Sequence, residues 1–122
     1  MLRLRFRYLA VSLLVATATS AQKGNSVAPM KVPLWPVQLQ LAGAQPQLEI
    51  YRPLAAQSKD ITVLIVPGGG YGIISPYDRV LAEFFRSEGY PAAIVDYRTL
   101  PSHYPAALAD VMRAVRMVRA HG

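Results

Sequence analysis

The feature that most constrains the fold is an apolar run that leads directly into a cluster of glycines. Residues 61–66 read ITVLIV, six consecutive residues that favour extended structure, and residues 67–72 read PGGGYG. A continuous apolar run of this length is typical of a strand buried on both faces, as in a parallel sheet covered by helices. The sequence therefore predicts an α/β fold with a glycine loop at the carboxyl end of a strand.

A helix and a second buried strand are predicted to follow the glycine loop. Ser75 can cap the helix, Pro76 suits its first turn, and Gly89 marks its end. Residues 91–95 (PAAIV) favour a second buried strand, so strand, helix and strand form a right-handed βαβ unit. The apolar stripe expected to face the sheet comprises Val80, Leu81, Phe84 and Phe85.

A second helix is predicted from Pro105 to the end of the chain. A helix after the last strand leads to a further parallel strand in α/β folds, so we expect the chain to be the first part of a larger domain. Asp110 and Arg113 are spaced to pair along this helix. The expected buried stripe comprises Leu108, Val111, Met112, Val115 and Val118, and the expected solvated face comprises Arg113, Arg116 and Arg119.

The start of the chain has the pattern of an export signal. Residues 1–7 carry three arginines, residues 8–16 are apolar, and small residues follow at 19–21 (TSA). This order is typical of a secretory signal peptide over residues 1–21. A membrane anchor is the alternative, but the apolar run is short for a bilayer core of about 30 Å. We therefore expect an exported protein, periplasmic or secreted, without a stable membrane anchor after cleavage.

Two further segments complete the predicted organisation. Residues 22–46 contain four prolines without helical or strand periodicity, which predicts an extended leader. Residues 47–122 form the α/β portion. It begins with residues 47–52 (QLEIYR), whose alternation and following Pro53 predict a half-exposed edge strand.

Composition excludes several kinds of site and partner. The sequence has no cysteine, which excludes disulfides and thiolate metal sites, and its two histidines are too few for a histidine-rich metal site. Removing residues 1–21 takes three of thirteen basic residues, leaving ten against seven acidic ones, so the net charge falls from +6 to +3. No basic patch is interleaved with aromatic residues. We therefore expect no metal, no cofactor and no nucleic-acid partner.

The glycine loop fits more than one use. Its backbone N–H groups could stabilise the negative oxygen of a tetrahedral ester intermediate, as an oxyanion hole does. Alternatively, Gly68 and Gly70 with the later Asp96 could belong to a dinucleotide site, although Ile73 stands at the third glycine position and the helix starts only after Ser75. A tight turn without a ligand is the third reading.

Three segments, in order, carry a resemblance to a known family. Residues 66–72 (VPGGGYG) resemble the P-G-G-G-Y segment of bacterial acetylxylan-esterase-like and feruloyl-esterase-like α/β-hydrolases. Residues 88–98 (EGYPAAIVDYR) and 105–119 (PAALADVMRAVRMVR) resemble the next two segments of that family, and residues 34–36 (LWP) resemble its leader. The chain departs from related lipases at Pro67, where they carry histidine.

The resemblance implies a function and a set of site residues. It implies the N-terminal part of a three-layer α/β-hydrolase fold that hydrolyses carboxylic esters, such as acetyl or feruloyl esters of plant polysaccharides, with a small-molecule or carbohydrate ester as its partner. It implies that Gly68, Gly69 and Gly70 shape the oxyanion hole and that Tyr71 lines the acyl pocket. A Rossmann-like nucleotide-binding module and a non-catalytic binding domain remain as alternatives.

The catalytic triad is expected to lie outside this chain. An α/β-hydrolase carries its nucleophile in G-x-S-x-G, followed by an acid and then histidine, and no such pentapeptide occurs here. His103 precedes any such motif, and for Asp96 we expect a structural role, such as pairing with Arg98 or with a neighbouring loop. The chain is therefore expected to be inactive by itself. The serines without flanking elbow glycines are Ser58, Ser75, Ser87 and Ser102.

Overall fold

The computed structural model describes residues 27–39, 41, 43, 45–70, 72, 73 and 75–121, so the predicted signal peptide and Tyr71 lie outside the described residues. Four strands and two helices make up this part of the chain. Among the described helices, none combines the length and the apolar character needed to cross a bilayer. The elements are β1 (Met30–Pro33), β2 (Gln47–Tyr51), β3 (Val63–Ile65), α1 (Asp78–Ser87), β4 (Ala92–Asp96) and α2 (Ala106–His121), with a short 3₁₀ turn at Ala55–Gln57.

The strands form one mixed sheet in the order β1-β2-β4-β3. β3 and β4 are parallel neighbours joined by α1, which confirms the predicted strand–helix–strand unit. β2 runs antiparallel to both β1 and β4. The carboxyl ends of β3 and β4 therefore meet at the same edge of the sheet, and the glycine loop follows the first of them.

Two predictions about strand positions are wrong. Residues 22–46 were predicted to be an extended leader without strand periodicity, yet β1 lies there and pairs with β2 from Met30–Ile50 to Pro33–Gln47. The predicted edge strand at 47–52 is consequently an interior strand. β1 is only four residues long and ends at Pro33, so it carries too little alternation to be recognised from its pattern.

The buried apolar run is also shorter than its sequence suggests. β3 covers only Val63–Ile65, and it is one of the two edge strands of the described sheet. Ile61 is 66% exposed and Val66 is 48% exposed, so the described residues do not bury this run on both faces as predicted.

Side chains on the two faces of β4 enter two separate apolar clusters. Ala93 and Val95 point to one face and Ala92 and Ile94 to the other, as the two-residue period of a strand requires. The first cluster packs under α2 and the second under α1, which gives the predicted α/β layering. The first cluster comprises Leu34, Leu48, Ala93, Val95, Tyr97 and Ala114; the second comprises Tyr51, Ile65, Ala82, Ala92 and Ile94.

Each helix approaches the sheet through alanine rather than through its largest apolar side chains. On α1, Ala82 is fully buried and Phe85 packs beside it, whereas three of the four stripe residues are exposed. On α2, Ala114 is fully buried. A small side chain lets the helix backbone approach the strands closely, so the predicted stripes are partly rotated away from the sheet. The exposed members are Val80, Leu81 and Phe84 on α1 and Leu108 and Met112 on α2, whereas Val111 and Val118 pack as predicted.

The ends of α1 partly follow the prediction. The residue at the N-cap is Tyr77 rather than Ser75, but the Ser75 hydroxyl accepts a 3.3 Å hydrogen bond from the backbone N–H of Tyr77. Gly89 follows the helix with φ of +85°, a conformation that favours glycine. A Cβ at this position would lie 2.4 Å from the carbonyl oxygen of Gln57, so the chain can pass here only with glycine.

Candidate functional site

The glycine loop, defined here as Gly68–Gly70, lies where β3 leaves the sheet. All three residues are exposed, and the loop follows the strand beyond its carboxyl end. In open α/β sheets, ligands bind at this edge, in the crevice outside the carboxyl ends of the strands. The structure therefore places the predicted residues where a ligand can reach their backbone.

The loop has a conformation that requires glycine at two positions. Gly69 has φ of +142° and Gly70 has φ of +61°. The carbonyl of Gly69 accepts a 3.1 Å hydrogen bond from the N–H of Gly72, which closes a tight turn. A Cβ on Gly69 would lie 2.1 Å from the carbonyl oxygen of Ile73, so any side chain here would break the turn.

Space remains open beside the other two glycines. A Cβ built on Gly68 or on Gly70 meets no described heavy atom within 4 Å. A ligand group could therefore approach the backbone from that side, which suits N–H donors that act on a substrate. Tyr71, predicted to line the acyl pocket, lies outside the described residues.

The first peptide of the loop is anchored to the neighbouring strand. Pro67 is buried, and its carbonyl accepts a 2.7 Å hydrogen bond from the hydroxyl of Tyr97. Tyr97 directly follows β4 and is itself only 7% exposed. The sequence analysis did not identify this tyrosine as a site residue. The signal that could have found it is its position directly after the strand that runs parallel to β3.

The expected pairing of Asp96 with Arg98 is wrong. Asp96 instead accepts a 3.1 Å hydrogen bond from the side-chain amide of Gln47 on β2. Arg98 binds Asp110, with 2.9 Å from Nε to Oδ2 and 2.8 Å from Nη2 to Oδ1. Asp96 is the last residue of β4 and lies opposite Gln47 in the strand register, whereas Arg98 lies beyond the strand end, where Asp110 of α2 binds it.

The carboxylate of Asp110 is fully buried and has several donors. Besides the Arg98 guanidinium, it accepts a 2.9 Å bond from the backbone N–H of Arg98 and a 2.7 Å bond from the indole of Trp35. The expected pair of Asp110 with Arg113 is therefore wrong. Arg113 donates to the carbonyl of Leu34 at 3.1 Å and lies over the Trp35 ring.

A second polar cluster lies on the other face of the sheet, under the start of α1. Glu49 accepts hydrogen bonds of 3.2–3.3 Å from the guanidinium of Arg79 and one of 2.8 Å from the hydroxyl of Tyr51. Burial opposes ionisation of Glu49, but these two donors hold its pKa below the usual value. Burial and the bond to Glu49 raise the pKa of Tyr51 to about 12. Glu49 is thus a carboxylate that ties β2 to α1.

The described serines and histidines do not form a nucleophile–base pair. Ser75 accepts from the Tyr77 N–H, and the Ser87 hydroxyl donates to the Phe84 carbonyl at 2.7 Å. His103 is exposed in the loop before α2, and His121 is the last residue of α2. The hydroxyls of Ser75 and Ser87 therefore serve local structure.

The described residues form neither a candidate metal site nor the geometry of a dinucleotide site. They contain no group of three or more metal-ligating side chains that could hold an ion. α1 begins at Asp78, so residues 71–77 separate its N-terminus from the glycine loop. A dinucleotide site places the phosphates on a helix N-terminus that directly follows the glycines, and this geometry is not met.

One groove of the described structure lies away from the glycine loop. It has a volume of about 700 Å³ and runs between the β1–β2 face and the end of α2. Thr62 and Pro91, which precede β3 and β4, line it, so it opens at the amino ends of the parallel strands. A smaller polar cavity of about 100 Å³ is lined by Glu49, Ser75, Arg79, Ile94 and Asp96.

Solved structures similar to this chain include hydrolases of esters. No protein-family model and no curated protein sequence matches the chain. It is similar to an acetyl ester-xyloside bifunctional hydrolase from Caldicellulosiruptor lactoaceticus, with 28% identity, a TM-score of 0.67, and coverage of 77% of this chain and 38% of that one. It is also similar to esterase 2 from Thermogutta terrifontis, with 25% identity, a TM-score of 0.62, and coverage of 80% of this chain and 36% of that one in the propionate-bound structure.

These similarities define the fold and a coarse chemical class. The chain spans about 38% of the length of the hydrolase from Caldicellulosiruptor lactoaceticus, and its described residues form a mixed sheet with a helix on each face. The chain therefore has the architecture of the N-terminal part of an α/β-hydrolase fold and is similar in structure to carboxylic ester hydrolases.

Proposed function

We propose that the glycine loop is the oxyanion loop of a serine carboxylesterase. The observation that carries the proposal is the position of Gly68–Gly70, exposed beyond the carboxyl end of β3, in a fold shared with esterases. The positive φ angles of Gly69 and Gly70 and the open space beside Gly68 and Gly70 support it, because a ligand group can approach the loop backbone there.

In this mechanism the chain stabilises charge rather than supplying the nucleophile. A serine attacks the acyl carbon of the ester, a histidine takes its proton, and the carbonyl oxygen becomes negative. Backbone N–H groups of the glycine loop then hold that oxygen, and Tyr71 lines the acyl side. The serine, the histidine and the acid would come from residues outside these 122, since the sequence contains no G-x-S-x-G.

We propose an acetylated or feruloylated plant polysaccharide as the substrate class. The P-G-G-G-Y resemblance supports this class, as does structural similarity to a hydrolase of acetyl esters and xylosides. The predicted signal peptide at 1–21 implies export, which fits this substrate because plant polysaccharide lies outside the cell. The partner would then be a carbohydrate ester rather than a nucleic acid, and no membrane anchor would remain after cleavage.

The test is an esterase assay on the protein encoded by the complete reading frame that contains this chain. We expect turnover of p-nitrophenyl acetate and release of acetate from acetylated xylan. Treatment with paraoxon should modify one serine in a G-x-S-x-G motif, found by peptide mass spectrometry, and abolish turnover. Absence of turnover on both substrates, with the protein folded, would contradict the proposal.

A further inference from the structure

The structure assigns to Tyr97 the role of a positioning residue for the glycine loop, an inference that rests on the proposed oxyanion function. The hydroxyl of Tyr97 donates a 2.7 Å hydrogen bond to the carbonyl of Pro67, the residue directly before the loop. Both residues are buried. This bond joins the carboxyl ends of the two parallel strands, β3 and β4.

The bond fixes the orientation of the first peptide of the loop. The carbonyl of Pro67 and the N–H of Gly68 belong to one planar trans peptide, in which the two groups point in opposite directions. Holding the carbonyl toward Tyr97 therefore aims the N–H of Gly68 to the opposite side. The direction in which the following glycines leave the strand is set by the same peptide plane.

Tyr97 is itself held firmly enough to act as a support. Its ring belongs to the buried cluster under α2, together with Leu48 and Val95. The next residue, Arg98, is bound through its backbone N–H and its guanidinium to the fully buried Asp110. The tyrosine backbone therefore lies between β4 on one side and this ion pair on the other.

Removing the hydroxyl would release the loop without emptying the core. A phenylalanine keeps the ring in its cluster but leaves the buried carbonyl of Pro67 without this donor. An unsatisfied buried carbonyl is disfavoured, so the first peptide would turn to find another donor or water. N–H groups that must meet a developing oxyanion would then lose their fixed direction, which lowers transition-state stabilisation more than substrate binding.

The test compares Tyr97→Phe with Tyr51→Phe in the full-length protein. Tyr51 is the matched control, because its buried hydroxyl donates within the same sheet but to Glu49 rather than to the loop. We expect Tyr97→Phe to lower kcat for p-nitrophenyl acetate about 10-fold with KM changed less than about twofold, since a misdirected donor costs less than the 10²–10³ of a lost one. Amide hydrogen exchange of residues 68–72 should be faster in Tyr97→Phe only.

The outcomes separate this inference from the proposed function. If Tyr97→Phe keeps the kcat and the loop exchange of the wild type, the positioning role is overturned while the esterase function stands. If the wild type has no esterase activity, the proposed function fails, and the exchange comparison alone decides whether Tyr97 holds the loop. Should Tyr97→Phe not fold, Tyr97→4-methylphenylalanine, which fills the hydroxyl's space without a donor, is assayed in the same way.

Discussion

The indole N–H of Trp35 donates a 2.7 Å hydrogen bond to Asp110, which lies 75 positions later in the chain. The same carboxylate accepts from Arg98, so one buried group joins the segment before β2, the end of β4 and α2. A charge buried this deeply is tolerated because its carboxylate accepts four hydrogen bonds within the described part of the chain. The arrangement fixes the strand end from which Tyr97 reaches the glycine loop.

Removing this carboxylate should destabilise the fold strongly. We expect Asp110→Ala to lower the free energy of unfolding by about 3–5 kcal/mol, because it leaves the Arg98 guanidinium, the Arg98 backbone N–H and the Trp35 indole without their shared, fully buried acceptor. Urea denaturation of the full-length protein measures this. As a control, Glu83→Ala breaks the more exposed pair with Arg86 on α1 and should cost less than about 1 kcal/mol. Equal losses in the two variants would contradict the role given to Asp110.

Because of the ion pair between Glu49 and Arg79, the free energy of unfolding should decrease at acid pH. The pKa of Glu49 is lowered in the folded state, so its ionised form stabilises the fold above the ordinary value of 4.5 and loses that effect as the pH falls through the folded pKa. Glu49→Gln should therefore be less stable than the wild type at pH 7, and the difference should shrink below pH 4.5. Unfolding midpoints measured across this range test the sign. A difference that grows toward acid pH would refute it.

The glycine at position 69 should be needed for turnover. Gly69→Ala places a Cβ against the Ile73 carbonyl and should reduce kcat by about 10²–10³, the usual effect of losing an oxyanion donor. Gly72→Ala is the matched control, because its Cβ would make only an ordinary 3.7 Å contact and its φ does not require glycine. Steady-state kinetics on p-nitrophenyl acetate distinguish them, and similar activity in both variants would argue against the proposed loop function.

A nicotinamide dinucleotide should not bind the glycine loop. α1 starts at Asp78, too far along the chain to place its N-terminus on phosphates held by the glycines. Equilibrium dialysis with NAD should show no saturable binding. Micromolar binding that is lost in Asp96→Ala would support the nucleotide-binding alternative instead.

The strand–helix–strand unit and the position of the glycine loop could be predicted from the sequence because both depend on local signals. An apolar run, a glycine cluster and a helical stripe follow one another directly. The face that each helix turns toward the sheet could not be predicted in this way. The spacing of the largest apolar side chains suggested one stripe, whereas the residues most deeply buried against the sheet are Ala82 and Ala114.

The contacts that hold the candidate site depend on strand order rather than on sequence neighbours. Tyr97 reaches Pro67 only because β3 and β4 are adjacent, and Asp110 meets Arg98 and Trp35 rather than the nearby Arg113. β1 was missed since its four residues carry no clear alternation. Long-range partners of this kind are set by the topology, which the pattern of one chain does not specify.

The most direct test of the central claim is a crystal structure of the full-length protein inhibited by paraoxon. The bound phosphoryl group imitates the tetrahedral intermediate, and its free oxygen stands where the oxyanion forms. We expect this oxygen to lie about 2.7–3.1 Å from backbone nitrogens within Gly68–Gly70. A phosphoryl oxygen held by other donors, with the glycine loop turned away from the modified serine, would contradict it.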